Sequence, residues 1–65
     1  MEVRQMEQFI GKRCKILIDF CGNILVYTAR IESVTPSHVS FCDRYDKRYA
    51  FNNKHIIEIE QLGGD

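Results

Sequence analysis

The chain has 65 residues, with nine basic and nine acidic side chains, so its formal charge is zero; 45% of its residues are hydrophobic and 28% are charged. This composition excludes a disordered segment, and the neutral balance argues against strong sequence-independent binding of nucleic acid, which rests on neutralising many phosphates. The length allows one domain, and one so small buries only about 60% of its unfolded surface, so it needs a dense core, a staple or a partner.

Residues 2–10, "EVRQMEQFI", place Val3, Met6, Phe9 and Ile10 at helical spacing. A short helix is expected there, stopped by Gly11 and docked on another element, since one stripe this short does not hold a helix alone. Residues 12–20, "KRCKILIDF", alternate. Cys14, Ile16, Ile18 and Phe20 share one face of a half-buried strand. "CGN" at 21–23 reads as a turn, because Gly22 and Asn23 tolerate positive φ.

Residues 24–34, "ILVYTARIESV", form a long second strand. Its length predicts a bend at a barrel corner, which the small Thr28 and Ala29 permit. "TPSH" follows as a tight turn, with Pro36 ending the ladder. A third strand covers 39–43, with Val39 and Phe41 inward. "RYDK" is a charged turn, 48–51 a fourth strand, "NNK" a second tight turn and 55–60 a fifth strand. In the fifth, Ile57 and Ile59 are expected to face the core and Ile56 and Glu58 to face away. Residues 61–65 are expected to fray.

A short helix and five closely connected strands predict a mainly β domain: a small five-stranded bent antiparallel barrel of SH3-like kind, with the barrel at about 12–60. No apolar run approaches the ~18 residues of a membrane helix, and "MEVRQMEQF" has no signal-peptide core. A cytoplasmic protein with no membrane partner is expected.

The three cysteines, Cys14, Cys21 and Cys42, form no CxxC pair. They read as small apolar fillers in a reducing compartment. Zinc spacing with His38 or His55 is lacking, and no third group orients a Cys–His pair. No paired carboxylates or activated serine suggest catalysis. The expectation is a protein that is not an enzyme and uses no cofactor and no metal.

Three polar clusters remain. Asn52, Asn53, Lys54 and His55 stand in a row. Lysine supplies a point charge to phosphate, and His and Asn supply hydrogen bonds to base edges that single strands expose; the same run also suits a plain turn. "DRYDKRY", 43–49, interleaves Arg44, Lys47 and Arg48 with Tyr45 and Tyr49, which is the composition of a single-strand platform. Asp43 and Asp46 dilute its charge, and a solvated hairpin tip is the simpler expectation. The cations of "GKRCK", 11–15, are expected to pair across strands with Glu58 and Glu60.

"ILIDFCGNILVYTARIESV" resembles the first motif of the Sm-like (LSm/Hfq-like) family: apolar strand, turn, long strand, then Ile-Glu-Ser and a hydrophobe. "FNNKHIIEIE" resembles the second motif in its Hfq-like form, with Lys-His before an Ile-rich strand. The resemblance covers about residues 5–60. Ala29 stands where the family usually has Gly, and "TPSH" carries neither its Asp nor its Asn. The resemblance implies a barrel that assembles with itself into a homo-oligomer. It implies single-stranded RNA as ligand, with Asn53, Lys54 and His55 lining a central pore. An open edge of such a barrel invites a second copy, and Ile56, Leu17 and Leu25 are candidate interface residues. The alternative is a protein-interaction or accessory module of a bacterial or phage assembly, without a nucleic-acid ligand.

Overall fold

The computed structural model describes residues 1–63. α1 (Val3–Glu7) opens the chain and is shorter than the stripe over 2–10 predicts. Beyond Glu7 the coil tightens: the amides of Phe9 and Ile10 donate to carbonyls three residues back, on Met6 and Glu7, at 3.0 and 3.2 Å. Gly11, at φ 82°, then reverses the chain, and its amide donates to Ile31 O at 2.7 Å. Met6 alone in α1 is fully buried, so packing rather than propensity holds this helix.

Five strands follow: β1 (Arg13–Phe20), β2 (Asn23–Val34), β3 (His38–Asp43), β4 (Arg48–Asn52) and β5 (Ile56–Gln61). They form one antiparallel sheet in the order β4-β3-β2-β1-β5, so β4 and β5 are its two edges. Alternation delivers Cys14, Ile16, Ile18, Ala29, Ile31, Val39 and Phe41 to one buried face. The β1–β2 turn is a two-residue turn with Cys21 at φ 54° and Gly22 at φ 81°. Both central residues are left-handed, which matches the strand twist. Asn23, expected within the turn, instead pairs with Phe20 as the first residue of β2.

β2 is shared. Residues 23–30 pair with β1 and residues 29–34 pair with β3. Its twelve residues exceed the usual strand length and change partner part-way along, and the strand bends there. Ala29, 3% exposed, sits where both partners overlap, between Cys14 and Asp43. A register shift between Ile31 and Ser33 adds to the curl. On a flat sheet β1 and β4 would lie about 14 Å apart, three strand spacings. Here Phe20 of β1 and Phe51 of β4 meet edge to face with centroids 5.9 Å apart. Phe41 lies between Tyr49 and Phe51, stacked at 5.6 and 6.0 Å.

Two inward assignments are corrected. Phe20 closes β1 but is 43% exposed, because the strand ends at the left-handed Cys21 and the ring lies across the rim of the core. In β5 the β1 partners run Leu17 to Glu58 and then Ile18 to Ile56, which leaves Ile57 as an extra residue. This bulge changes the phase of the strand. Ile56 and Ile59 are both buried, at 4% and 7%, while Ile57 is 47% exposed. The expected roles of Ile56 and Ile57 are thus exchanged, and Ile56 belongs to the core rather than to an interface. The tail is also shorter than expected: Gln61 ends β5, and the Leu62 amide donates to Arg13 O at 2.9 Å. Residues 64 and 65 lie outside the described residues. Among the described residues, no helix is long and apolar enough to cross a membrane.

The bulge can be checked by denaturation. Ile56→Ala should lose about 2–5 kcal/mol of stability, and Ile57→Ala about 0.5 kcal/mol or less. Urea unfolding of both variants measures this; the opposite order would place Ile57 in the core.

Candidate nucleic-acid interface

The polar run after β4 forms a single turn of 3-10 helix, Asn53–His55. Asn52 caps it, its Oδ1 accepting from the Lys54 amide at 3.0 Å. Asn53 faces inward and is 7% exposed. Its Nδ2 donates to Thr35 O at 2.9 Å, and its amide donates to Ser37 O at 2.9 Å. Its carbonyl accepts from the Met1 amine at 2.8 Å. Asn53 thus staples the β4–β5 turn to the β2–β3 turn, residues 35–37. Its Oδ1 is buried without a partner.

The β2–β3 turn is set by Thr35, whose Oγ1 accepts from the His38 amide at 2.9 Å. Ser37 Oγ lies 2.9 Å from His38 Nδ1. Because of the staple, Ser37, His38, Lys54 and His55 come to one end of the sheet from two separate turns. Lys54 is exposed and His55 half-buried. The His55 ring meets Phe20 edge on, with centroids 5.5 Å apart. Alternation puts Phe20 on the face of Cys14, Ile16 and Ile18; the signal that places it at this end is its position just before the Cys21–Gly22 turn. The end therefore holds a lysine, two histidines, a serine hydroxyl and an exposed aromatic ring. That set can meet a phosphate, hydrogen-bond a base and stack against it.

The second cluster lies at the other end of β4. Asp43 Oδ1 accepts from the Tyr45 and Lys47 amides at 2.8 and 3.0 Å, and Tyr49 Oη donates to Oδ2 at 3.4 Å. These bonds, the Lys47 amide first, hold the Asp43 carboxyl below its ordinary range against a smaller opposing effect of desolvation. Desolvation first, and then the Asp43 charge, pushes the Tyr49 phenol up. The Arg44 guanidinium lies over the Tyr45 ring, 5.2 Å from its centroid. Arg48 Nε and Glu32 Oε1 form a solvent-exposed pair at 3.2 Å, a kind that adds little stability.

Of the cations in 11–15, Lys15 is opposite Glu60 in register, whereas Arg13 is opposite Arg30. Cys14 is buried in the core and its thiol is pushed up by desolvation. Cys21 is exposed and Cys42 half-buried. Among the described residues, no three His, Cys, Asp or Glu side chains are grouped to hold a metal ion. No family model, curated protein or solved structure matches this chain.

Asp43 makes stability depend on acid. Its folded carboxyl titrates below the ordinary value of 3.8, so its contribution is full above that value and is lost as pH falls through the folded one. Thermal unfolding as a function of pH should show this loss in the parent chain. In Asp43→Asn the loss should be smaller and the melting temperature at neutral pH lower. Identical pH profiles would rule out the turn bonds as its source.

Proposed function

We propose that the chain is a non-enzymatic, self-assembling Sm-like β-barrel that binds single-stranded RNA at its β4–β5 turn. The observation that carries this reading is the placement of Lys54 and His55 between the two open edges of one curled sheet. An edge strand presents unpaired backbone groups that a second copy can pair. The two edges differ in charge on their outer faces, with Arg48 on β4 and Glu58 and Glu60 on β5, all exposed. A β4 edge therefore suits the β5 edge of another copy, and head-to-tail pairing of unlike edges makes a ring when the rotation closes. Repetition around a ring multiplies one weak turn into a convergent site.

In this reading Lys54 supplies charge to phosphate, His55 hydrogen-bonds the base, and Phe20 offers a stacking surface beside it. Asn53 fixes both turns in place. A second reading, an accessory protein-interaction module of a bacterial or phage assembly, draws on a different observation. Ile24 and Val26 are 56% and 58% exposed on the outer face of β2, and Leu17 is paired directly with Val26.

Native mass spectrometry should give a closed homo-oligomer, and Glu58→Lys with Glu60→Lys should return it to monomer with the circular dichroism unchanged. Fluorescence anisotropy with short uridine and adenosine oligonucleotides at low salt should show binding that Lys54→Ala with His55→Ala weakens about tenfold or more. A strictly monomeric parent removes the ring. A parent that assembles but binds neither homopolymer leaves the interaction module.

A further inference from the structure

The outer face of the sheet carries a charge arrangement that neither the core nor the β4–β5 turn requires. Arg13 of β1 and Arg30 of β2 are directly opposite each other. Arg30 is opposite Cys42 of β3, and Cys42 is opposite Arg48 of β4. These residues run in one row across four strands. With Arg44 they line a cleft of about 600 Å³ whose walls also carry Glu32, Asp43 and Asp46. We infer that this cleft is a second binding surface for single-stranded RNA, holding backbone phosphates against Arg13, Arg30 and Arg48 and stacking a base on Tyr45.

Like charges directly opposite in a sheet are destabilising. Arg13 and Arg30 stand in that relation, and two of the three carboxylates that line the cleft are engaged elsewhere. Glu32 holds Arg48, and both Asp43 oxygens serve the β3–β4 turn. An anion between Arg13 and Arg30 offsets their repulsion. Guanidinium groups match phosphate with paired donors. Cys42, small and uncharged in register between Arg30 and Arg48, leaves the floor of the row open.

The row suits a chain of phosphates better than a single one, because it crosses three strand spacings, about 14 Å along the sheet. Tyr45 lies in the hollow adjoining the cleft, which Arg13 and Arg44 also line; its ring is 70% exposed, and Arg44 lies against it. A ring presented in this way beside a row of cations is the combination that holds unpaired bases and their backbone, and duplex bases are not free to stack on it. The surface lies at the β3–β4 end of β4, whereas Lys54 and His55 follow the other end. It needs no second copy and does not rest on the ring.

The test is made in the Lys54→Ala, His55→Ala chain, so that the turn contributes nothing. Anisotropy with a labelled uridine oligonucleotide at low salt should still detect binding. Adding Arg13→Gln and Arg30→Gln should weaken it about tenfold and reduce the salt dependence by one to two phosphates' worth, roughly 1–2 units of slope. The same two substitutions should raise the melting temperature of the free protein at low salt, by relieving the repulsion. Tyr45→Ala should weaken binding of the oligonucleotide but leave binding of an abasic strand of equal length unchanged. Loss of all binding in the starting double variant, or unchanged affinity after the arginine substitutions, overturns the inference. A fall in melting temperature on removing the arginines overturns it too, since the row would then be structural. Equal loss for both strands in Tyr45→Ala overturns the stacking role.

Discussion

β2 is hydrogen-bonded along its length to two strands, β1 and β3, that do not bond to each other. The rest of the structure depends on this division. The twelve-residue strand bends where its partners overlap, since rings of β1 and β4 meet at 5.9 Å where a flat sheet would keep those strands three spacings apart. Ala29 occupies that overlap and is buried there. A larger side chain would push the two hairpins apart, because packed interiors absorb added volume poorly. The bend carries β4 back over the end of β1, and Phe20, Phe41 and Phe51 are brought together by it.

The same bend explains how 65 residues build a core. A flat sheet of this size would bury one face only against another layer, and α1 supplies just Met6 as a fully buried side chain. By curling, the sheet packs its inner face against itself. Aliphatic side chains and Phe41 fill the centre, and partly buried rings pack against them, with Tyr27 and Tyr49 at 4.8 Å and Tyr27 and Phe41 at 5.3 Å. The arrangement leaves β4 and β5 as edges joined by the Asn53–His55 turn. The turn cannot drift, since Asn53 is tied to Thr35 and Ser37. Core and polar end are thus coupled through one side chain.

The strands and their order in the chain were legible because alternation with period two survives in β1 and β3, and because Gly, Pro and Asn mark the turns. The phase of β5 was not legible. "HIIEIE" contains adjacent isoleucines, and alternation alone supports either face for the pair. Only the pairing with β1 places the bulge at Ile57. The end of α1 was missed for a similar reason, since Phe9 and Ile10 continue the apolar spacing while their amides bond three residues back. At the polar end, Asn52–His55 stood out as a run, but its partners did not. Ser37 and His38 are far away in the chain, and no local pattern announces that Asn53 turns inward to hold them. Composition was no guide to the arginine row either, because register, not sequence proximity, sets Arg13 beside Arg30.

A neutral chain is compatible with a local cationic surface when the sheet sorts its charges. Outer positions on β4, β2 and β1 carry Arg48, Arg30 and Arg13, and outer positions on β5 carry Glu58 and Glu60. Glu58 and Glu60 lie at one edge of the strand order and the arginines across the rest, with Glu32 of β2 among them and paired to Arg48. Net charge governs long-range attraction, whereas a bound phosphate responds to charges within about one Debye length, ~10 Å in moderate salt. Zero net charge therefore weakens capture from a distance without weakening contact. It also favours self-association over repulsion between copies. If copies pair β4 edge to β5 edge as proposed, Arg48 meets Glu58 and Glu60 of the next copy, and Arg13 and Arg30 are the arginines of the row left open to a ligand.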